Sequence, residues 1–214
     1  MINWISRLQF LRRIRLESST SYFFAPGSAI LRAHRDSKIS IAQGAFRFGA
    51  DLRPNRPSAA YEKSVLILER GAILQIDGRV SIAPGATIHI GEGAFLHFRG
   101  ENTIAQNTII KCNKRIVFEK GASTSWNVTL IDDDLHRFKR VNGPELRHFE
   151  RDLILGENSG LQMNVVIPKA VHVGANAIVA ANTVLRTDVP SDCVVYSDTT
   201  LRTKTGLTLN YENF

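Results

Sequence analysis

Residues 155–190 read LGENSG LQMNVV IPKAVH VGANAI VAANTV LRTDVP when the chain is broken every six positions. That division drops Leu155, Leu161, Ile167, Val173, Val179 and Leu185 into one column. An amphipathic helix would repeat its apolar residues at spacings of three and four, and a half-buried strand would simply alternate them. A period of six fits neither. It fits a solenoid in which short strands follow one another round a shared core, joined by tight turns.

Outward from this stretch the rhythm recurs. In VSIAPGATIHIGEGAFLHF, residues 80–98, Ile82, Ile88, Ile90 and Leu96 fall around the turn pairs Pro84-Gly85 and Glu92-Gly93. Ile104, Ile110 and Ile116 make another column, and after a two-residue shift so do Phe118, Thr124 and Leu130. The earliest hexads are IAQGAF at 41–46 and FGADLR at 48–53, followed by a proline-broken excursion at 54–64 before Val65-Leu66-Ile67 resumes the pattern. Each hexad supplies one inward aliphatic side chain, and Gly, Asn or Asp at the corners tolerates the turn conformations. Three hexads would close a coil of about eighteen residues, with coils stacked at roughly 4.8 Å. About seven or eight coils are expected.

This reading divides the chain into an N-terminal helix and connection at 1–38, an all-β solenoid at 39–195 and a C-terminal tail at 196–214. Residues 132–152 contain no hexads, are rich in charge and carry the turn Asn142-Gly143-Pro144, so they read as a loop protruding from one corner.

Composition narrows the function. Twenty-seven Lys and Arg against 20 Asp and Glu give +7, a balance suited to an anionic surface or a phosphorylated small ligand. No aromatic-rich basic groove accompanies it, so a nucleic-acid partner is not expected. Cys112 and Cys193 form neither a metal spacing nor a disulfide framework, which fits a reducing, cytoplasmic compartment. No apolar run is long enough to span a bilayer, and Arg7, Gln9, Arg12 and Arg13 interrupt any secretory h-region. In MINWISRLQFLRRIRL, helical spacing puts Trp4, Ile5, Leu8, Leu11 and Ile14 near one face. Such a basic amphipathic helix can rest on the inner membrane surface as a peripheral contact. It can also pack across the open end of the solenoid, and that end-cap is the preferred reading.

The hexads resemble those of the hexapeptide-repeat acyltransferase superfamily, over most of residues 39–195. The resemblance implies a left-handed parallel β-helix, the hand opposite to that of ordinary parallel crossovers. The segment STSWNVTLIDDDLH, residues 123–136, resembles bacterial capsule and lipopolysaccharide sugar O-acetyltransferases, in which a hexad ends in a D-x-D-x-H-like run. By that resemblance His136 is the general base. An imidazole with an ordinary pKa near 6.5 can take a sugar hydroxyl proton near neutral pH. The activated hydroxyl would attack the thioester of acetyl-CoA. In an extended segment Asp132 and Asp134 would share a face with His136, and one of them would orient the imidazole or bind the saccharide acceptor. Trp126 offers a face to a sugar ring, and Asn127 stands beside it.

The cofactor segment is implied by the same resemblance. Gly160-Leu161-Gln162 stands where relatives carry a Trp-Ile-Gly-like run, and Lys169-Ala170-Val171 where they carry Lys-Gly-Val. Gln162, Lys169, Ala180, Ala181, Arg186, Arg202 and Lys204 are the expected contacts, the alanines leaving room for the pantetheine arm and the bases meeting phosphates. The histidine spacing of the zinc-binding members of this fold is absent, so no metal is expected. A homotrimer is implied, with the site completed across subunits. A solenoid without catalysis that serves binding or assembly, and transfer to a sugar amine, are the alternatives.

Overall fold

The computed structural model describes residues 4–26, 29–49, 63–133 and 151–198. Asp134, His136, His148, Arg202, Lys204 and most of the excursion expected at 54–64 lie outside the described residues. After the helix α1 (Trp4–Leu11), the chain winds through short strands in a strict three-beat order. The first coil is β1 (Ile14–Leu16), β2 (Tyr22–Phe24) and β3 (Ile30–Ala33). The second is β4 (Lys38–Ile41), β5 (Ala45–Phe48) and β6 (Val65–Leu68). The third is β7 (Ile73–Ile76), β8 (Val80–Ile82) and β9 (Thr87–Ile90), and the fourth β10 (Phe95–Phe98), β11 (Asn102–Ile104) and β12 (Ile109–Cys112). The fifth is β13 (Arg115–Phe118), β14 (Ser123–Thr124) and β15 (Thr129–Ile131). The sixth is β16 (Leu153–Leu155), β17 (Gly160–Leu161) and β18 (Val166–Ile167). In the seventh, β19 (His172–Val173) and β20 (Ile178–Val179) are followed by a bridge from Val184 to Val166. An eighth begins with a Val189–Val173 bridge and β21 (Val194–Val195).

Every third strand stacks on its predecessor, giving three sheets of seven, eight and six strands among the described residues. All of their pairings are parallel, as in the register Leu74–Leu96–Ile116–Leu153. The architecture is a three-sided parallel β-helix, consistent with the left-handed class that the resemblance implies. The column of residues 155–185 lines its interior: Leu155, Ile167 and Val179 are 0% exposed, Leu161 and Val173 2%, and Leu185 4%. Successive members belong to successive sheets, which is why one column of sequence becomes one core. Burying each such side chain fully contributes about 1.5–3 kcal/mol.

The corners explain the polar positions of the hexad. Asn107, Asn127, Asn164 and Asn182 turn the chain from the second sheet to the third with φ of 58°, 57°, 59° and 61°. Asn tolerates this left-handed region better than other residues with a side chain. At the corner between the first and second sheets Gly121 has φ 75°, and an added Cβ would meet the Asn158 side chain at 2.3 Å.

The stack starts earlier than the hexad rhythm. Residues 14–33, within the stretch at 1–38 expected to be helix and connection, build the first coil, with Ile14 opposite Ile39 and Leu31 opposite Leu66. Its irregular corners and the 50–62 interruption of the second coil hide the period. The helix also differs from expectation. It ends at Leu11, so Ile14 belongs to a strand, and Phe10 is the residue buried at 0% exposure. Phe10 continues a file of tilted rings, Phe10–Phe23 at 5.7 Å and Phe23–Phe46 at 5.3 Å between centroids. The end of the core is therefore closed by an aromatic. Leu8 and Leu11, expected on the packed face, remain 44% and 40% exposed.

Candidate active site

The corner between β12 and β13 contains only Asn113 and Lys114. So tight a turn leaves successive backbone N–H groups pointing the same way, a nest for an anion. Asp132, one coil later, fills it. The N–H groups of Asn113, Lys114 and Arg115 donate to its carboxylate at 2.7, 2.8 and 2.7 Å. Its carbonyl accepts the Ala170 N–H from the coil above at 2.9 Å. Asp132 and Asp133 are both 4% exposed. The imidazole that Asp132 was expected to orient, that of His136, lies outside the described residues, while these bonds give the Asp132 carboxylate a structural role in the turn. Beneath it, burial first and the Asp132 carboxylate second push the Cys112 thiol well above its ordinary range, so this cysteine stays protonated.

Both stems of the segment at 134–150 are thereby clamped. On the departing side the Asn113 side-chain amide donates to the Asp133 carbonyl, and Lys114 Nζ lies 3.2 Å from the Asp133 carboxylate. On the returning side Arg151 pairs with Asp188 at 2.7 Å, and Arg115 with Asp152 at 3.1 Å. Arg115 thus joins the stems, through its N–H to Asp132 and its guanidinium to Asp152. The Arg151 hydrogen bond, and after it the His172 N–H at 2.9 Å, hold the Asp188 carboxyl below the usual carboxylate range. His136 is carried on the segment between these stems.

At the other end of β15 stands the corner with Trp126 and Asn127. Asn127 donates from Nδ2 to Asn164 Oδ1 at 3.2 Å, and Asn164 in turn to Asn182 at 2.9 Å. This ladder spans three coils and gives Asn127 a turn-forming role. The Asn164 N–H donates to the Trp126 carbonyl and the Asn182 N–H to the Met163 carbonyl, each at 3.0 Å. Trp126, Met163 and Ala181 therefore stack on consecutive coils. Trp126 is 39% exposed and Met163 42%, and Ile109 and Val184 on the adjoining sheet are 45% and 43%. Together they form an apolar strip along one edge of the solenoid.

The residues expected to hold a cofactor divide between two corners. Gln162, Ala180 and Ala181 meet beside Met163, where Gln162 Oε1 accepts the Ala181 N–H at 3.1 Å. The alanines are half-buried, leaving shallow backbone relief. Lys169 and Arg186 are exposed at the next corner, on consecutive coils, beyond β18 and the Val184 bridge. They stand on the same side as the clamped stems.

Other histidines serve neighbouring coils. His89 Nε2 lies 3.0 Å from Glu69, and His97, only 5% exposed though it faces outward from β10, lies 2.5 Å from Asp77. Among the described residues no three His, Cys, Asp or Glu side chains are placed to share a metal ion. Sequence reasoning missed Asn113, Lys114, Arg115, Arg151 and Asp188. For Asn113, Lys114 and Arg115 the signal is the separation of one coil, 17–19 residues, from Asp132.

No protein-family model matches the chain. No curated protein matches it in sequence. Among solved structures it is similar to the polySia specific acetyltransferase NeuO, at 14% identity and a TM-score of 0.42 over 92% of this chain and 93% of that one. At such distance the strand pairing, and not the neighbour, carries the architecture described above.

Proposed function

We propose that the chain is an acyltransferase that moves the acetyl group of acetyl-CoA to a hydroxyl of a surface-polysaccharide sugar. The observation that carries this reading is the paired clamp on the stems of the segment bearing His136. A general base must be held to a fraction of an ångström, and a segment pinned at both ends by buried and charge-assisted bonds is suited to that demand. In the proposed reaction the His136 imidazole removes the hydroxyl proton as the sugar oxygen attacks the thioester carbonyl. The tetrahedral intermediate then collapses, the C–S bond breaks, and the CoA thiolate recovers the proton from the imidazolium. Lys169 and Arg186, with Arg202 and Lys204, are proposed for the CoA phosphates, and Ala180 and Ala181 for the pantetheine arm. Asp134 is proposed to orient the acceptor or the imidazole. The proposed assembly is a homotrimer in which the apolar strip of Ile109, Trp126, Met163 and Val184 faces a second copy. A cytoplasmic site of action, where acetyl-CoA is made, completes the reading.

The test is release of CoA thiol from acetyl-CoA in the presence of a panel of bacterial surface saccharides. His136→Ala should lower kcat by about 10²–10⁴-fold with an unchanged circular-dichroism spectrum. Wild-type turnover in that variant would remove His136 as the base. One observation favours a second reading, a solenoid that binds or assembles without catalysis: the Gln162 side chain already occupies the Ala181 N–H on the proposed pantetheine path. No acetyl-CoA binding by calorimetry at millimolar concentration would decide for it. Transfer to a sugar amine uses the same base and is distinguished by the acetylated product.

A further inference from the structure

The N-terminal end of the solenoid carries an apolar face that the fold leaves unpartnered. Among the helix side chains described, Phe10 closes the core, while Leu8 and Leu11, one turn apart, remain 44% and 40% exposed. The first coil adds Leu16 and Phe24, each at 50% exposure, while the nearby Tyr22 is engaged by Arg47, which donates to its hydroxyl at 2.8 Å. Four large aliphatic and aromatic side chains at one end of a molecule exceed the scattered singles of an ordinary surface. The charge around them is mainly positive. Residues 1–17 contain Arg7, Arg12, Arg13 and Arg15 against the single acidic Glu17, and Arg12 and Arg15 are exposed next in sequence to Leu11 and Leu16.

From this we infer that the N-terminal end is a docking surface for an anionic lipid membrane, on which the solenoid stands end-on. Apolar side chains entering the interface, flanked by arginines, are the chemistry of a helix lying in the headgroup region of an acidic bilayer. A second copy of the chain is the less fitting occupant. Two such ends brought together by a twofold axis would oppose four arginines on each side with one Glu17 each to offset them, at a cost in repulsion. Phe10 has the structural role and the leucines the docking role, so the two can be separated by mutation. No part of this inference depends on the acetyl-transfer reading.

The experiment is co-sedimentation of the full chain with vesicles of phosphatidylcholine and phosphatidylglycerol at 3:1 (roughly a quarter anionic lipid), against pure phosphatidylcholine. Binding should be at least about tenfold tighter to the anionic vesicles and should weaken as salt rises. The double variant Leu8→Ser with Leu11→Ser should lose about tenfold or more while keeping the wild-type melting temperature, because neither side chain is in the core. Arg12→Glu with Arg15→Glu should weaken binding and flatten its salt dependence. The salt titration of the wild type and this charge variant stand as tests even if the leucine variant misfolds. Absence of binding by the full chain, or unchanged binding in both double variants, overturns the inference. So does concentration-dependent self-association that the leucine variant abolishes without any vesicle binding.

Discussion

Asp132 accepts three consecutive backbone N–H groups from one tight turn. Asp132→Ala should therefore leave three part-buried donors without this partner and destabilise the fold by about 2–4 kcal/mol. For a chain of this size that corresponds to a melting temperature lower by roughly 5–15 °C, read by circular dichroism. A fall of under ~2 °C would mean that water replaces the carboxylate without loss. Gln162 gives a prediction of the opposite sign. Its Oε1 covers the Ala181 N–H at 3.1 Å, so Gln162→Ala should free that donor and tighten acetyl-CoA binding about three- to tenfold by calorimetry. Weaker binding would instead make Gln162 a direct contact. Neither role was readable from residue type. An Asp two positions before another Asp and four before a His looks like chemistry, and only the turn one coil below reveals what its oxygens do.

At the scale of elements, the clamp on the returning stem makes a pH-dependent prediction. The Asp188 carboxyl is held below its usual range by Arg151. A depressed folded pKa contributes stability that is present above the unfolded pKa and lost as pH falls through the folded one. The melting temperature of wild type should thus exceed that of Asp188→Asn near neutral pH, and the gap should close as pH drops from about 5 toward 2. Both partners are over two-fifths exposed, so the gap should stay under about 1 kcal/mol and shrink in high salt. A gap that widens on acidification would contradict the assigned cause. The hexads themselves were legible because period and burial coincide: each inward position is fixed by a corner six residues away. The first coil was not legible, since Tyr22, Phe23 and Phe24 show no period and find their places only by pairing with Ala45, Phe46 and Arg47. Leu8, Leu11 and Ile14 were misplaced for a related reason. Helical spacing finds an apolar stripe, but which residue is buried depends on the rings that end the core.

For the whole molecule, the exposed strip of Ile109, Trp126, Met163 and Val184 runs along one edge through four consecutive coils, an arrangement suited to a parallel neighbour. In the proposed trimer, Met163→Lys with Val184→Asp should convert the assembly to monomers by analytical ultracentrifugation, with an unchanged far-ultraviolet spectrum. A trimer that survives both charges would move the interface elsewhere.

The regular rise of the stack has one more consequence. From the first coil to β15 the chain climbs four steps of about 4.8 Å, and the cap helix adds its own width. If the Leu8 and Leu11 end rests on lipid, the clamped stems stand roughly 20–30 Å above the headgroups. The coil count then acts as a ruler: a lipid-linked glycan of one or two sugars would be too short to be modified, and the solenoid would choose its acceptor by reach before any pocket chose it by shape.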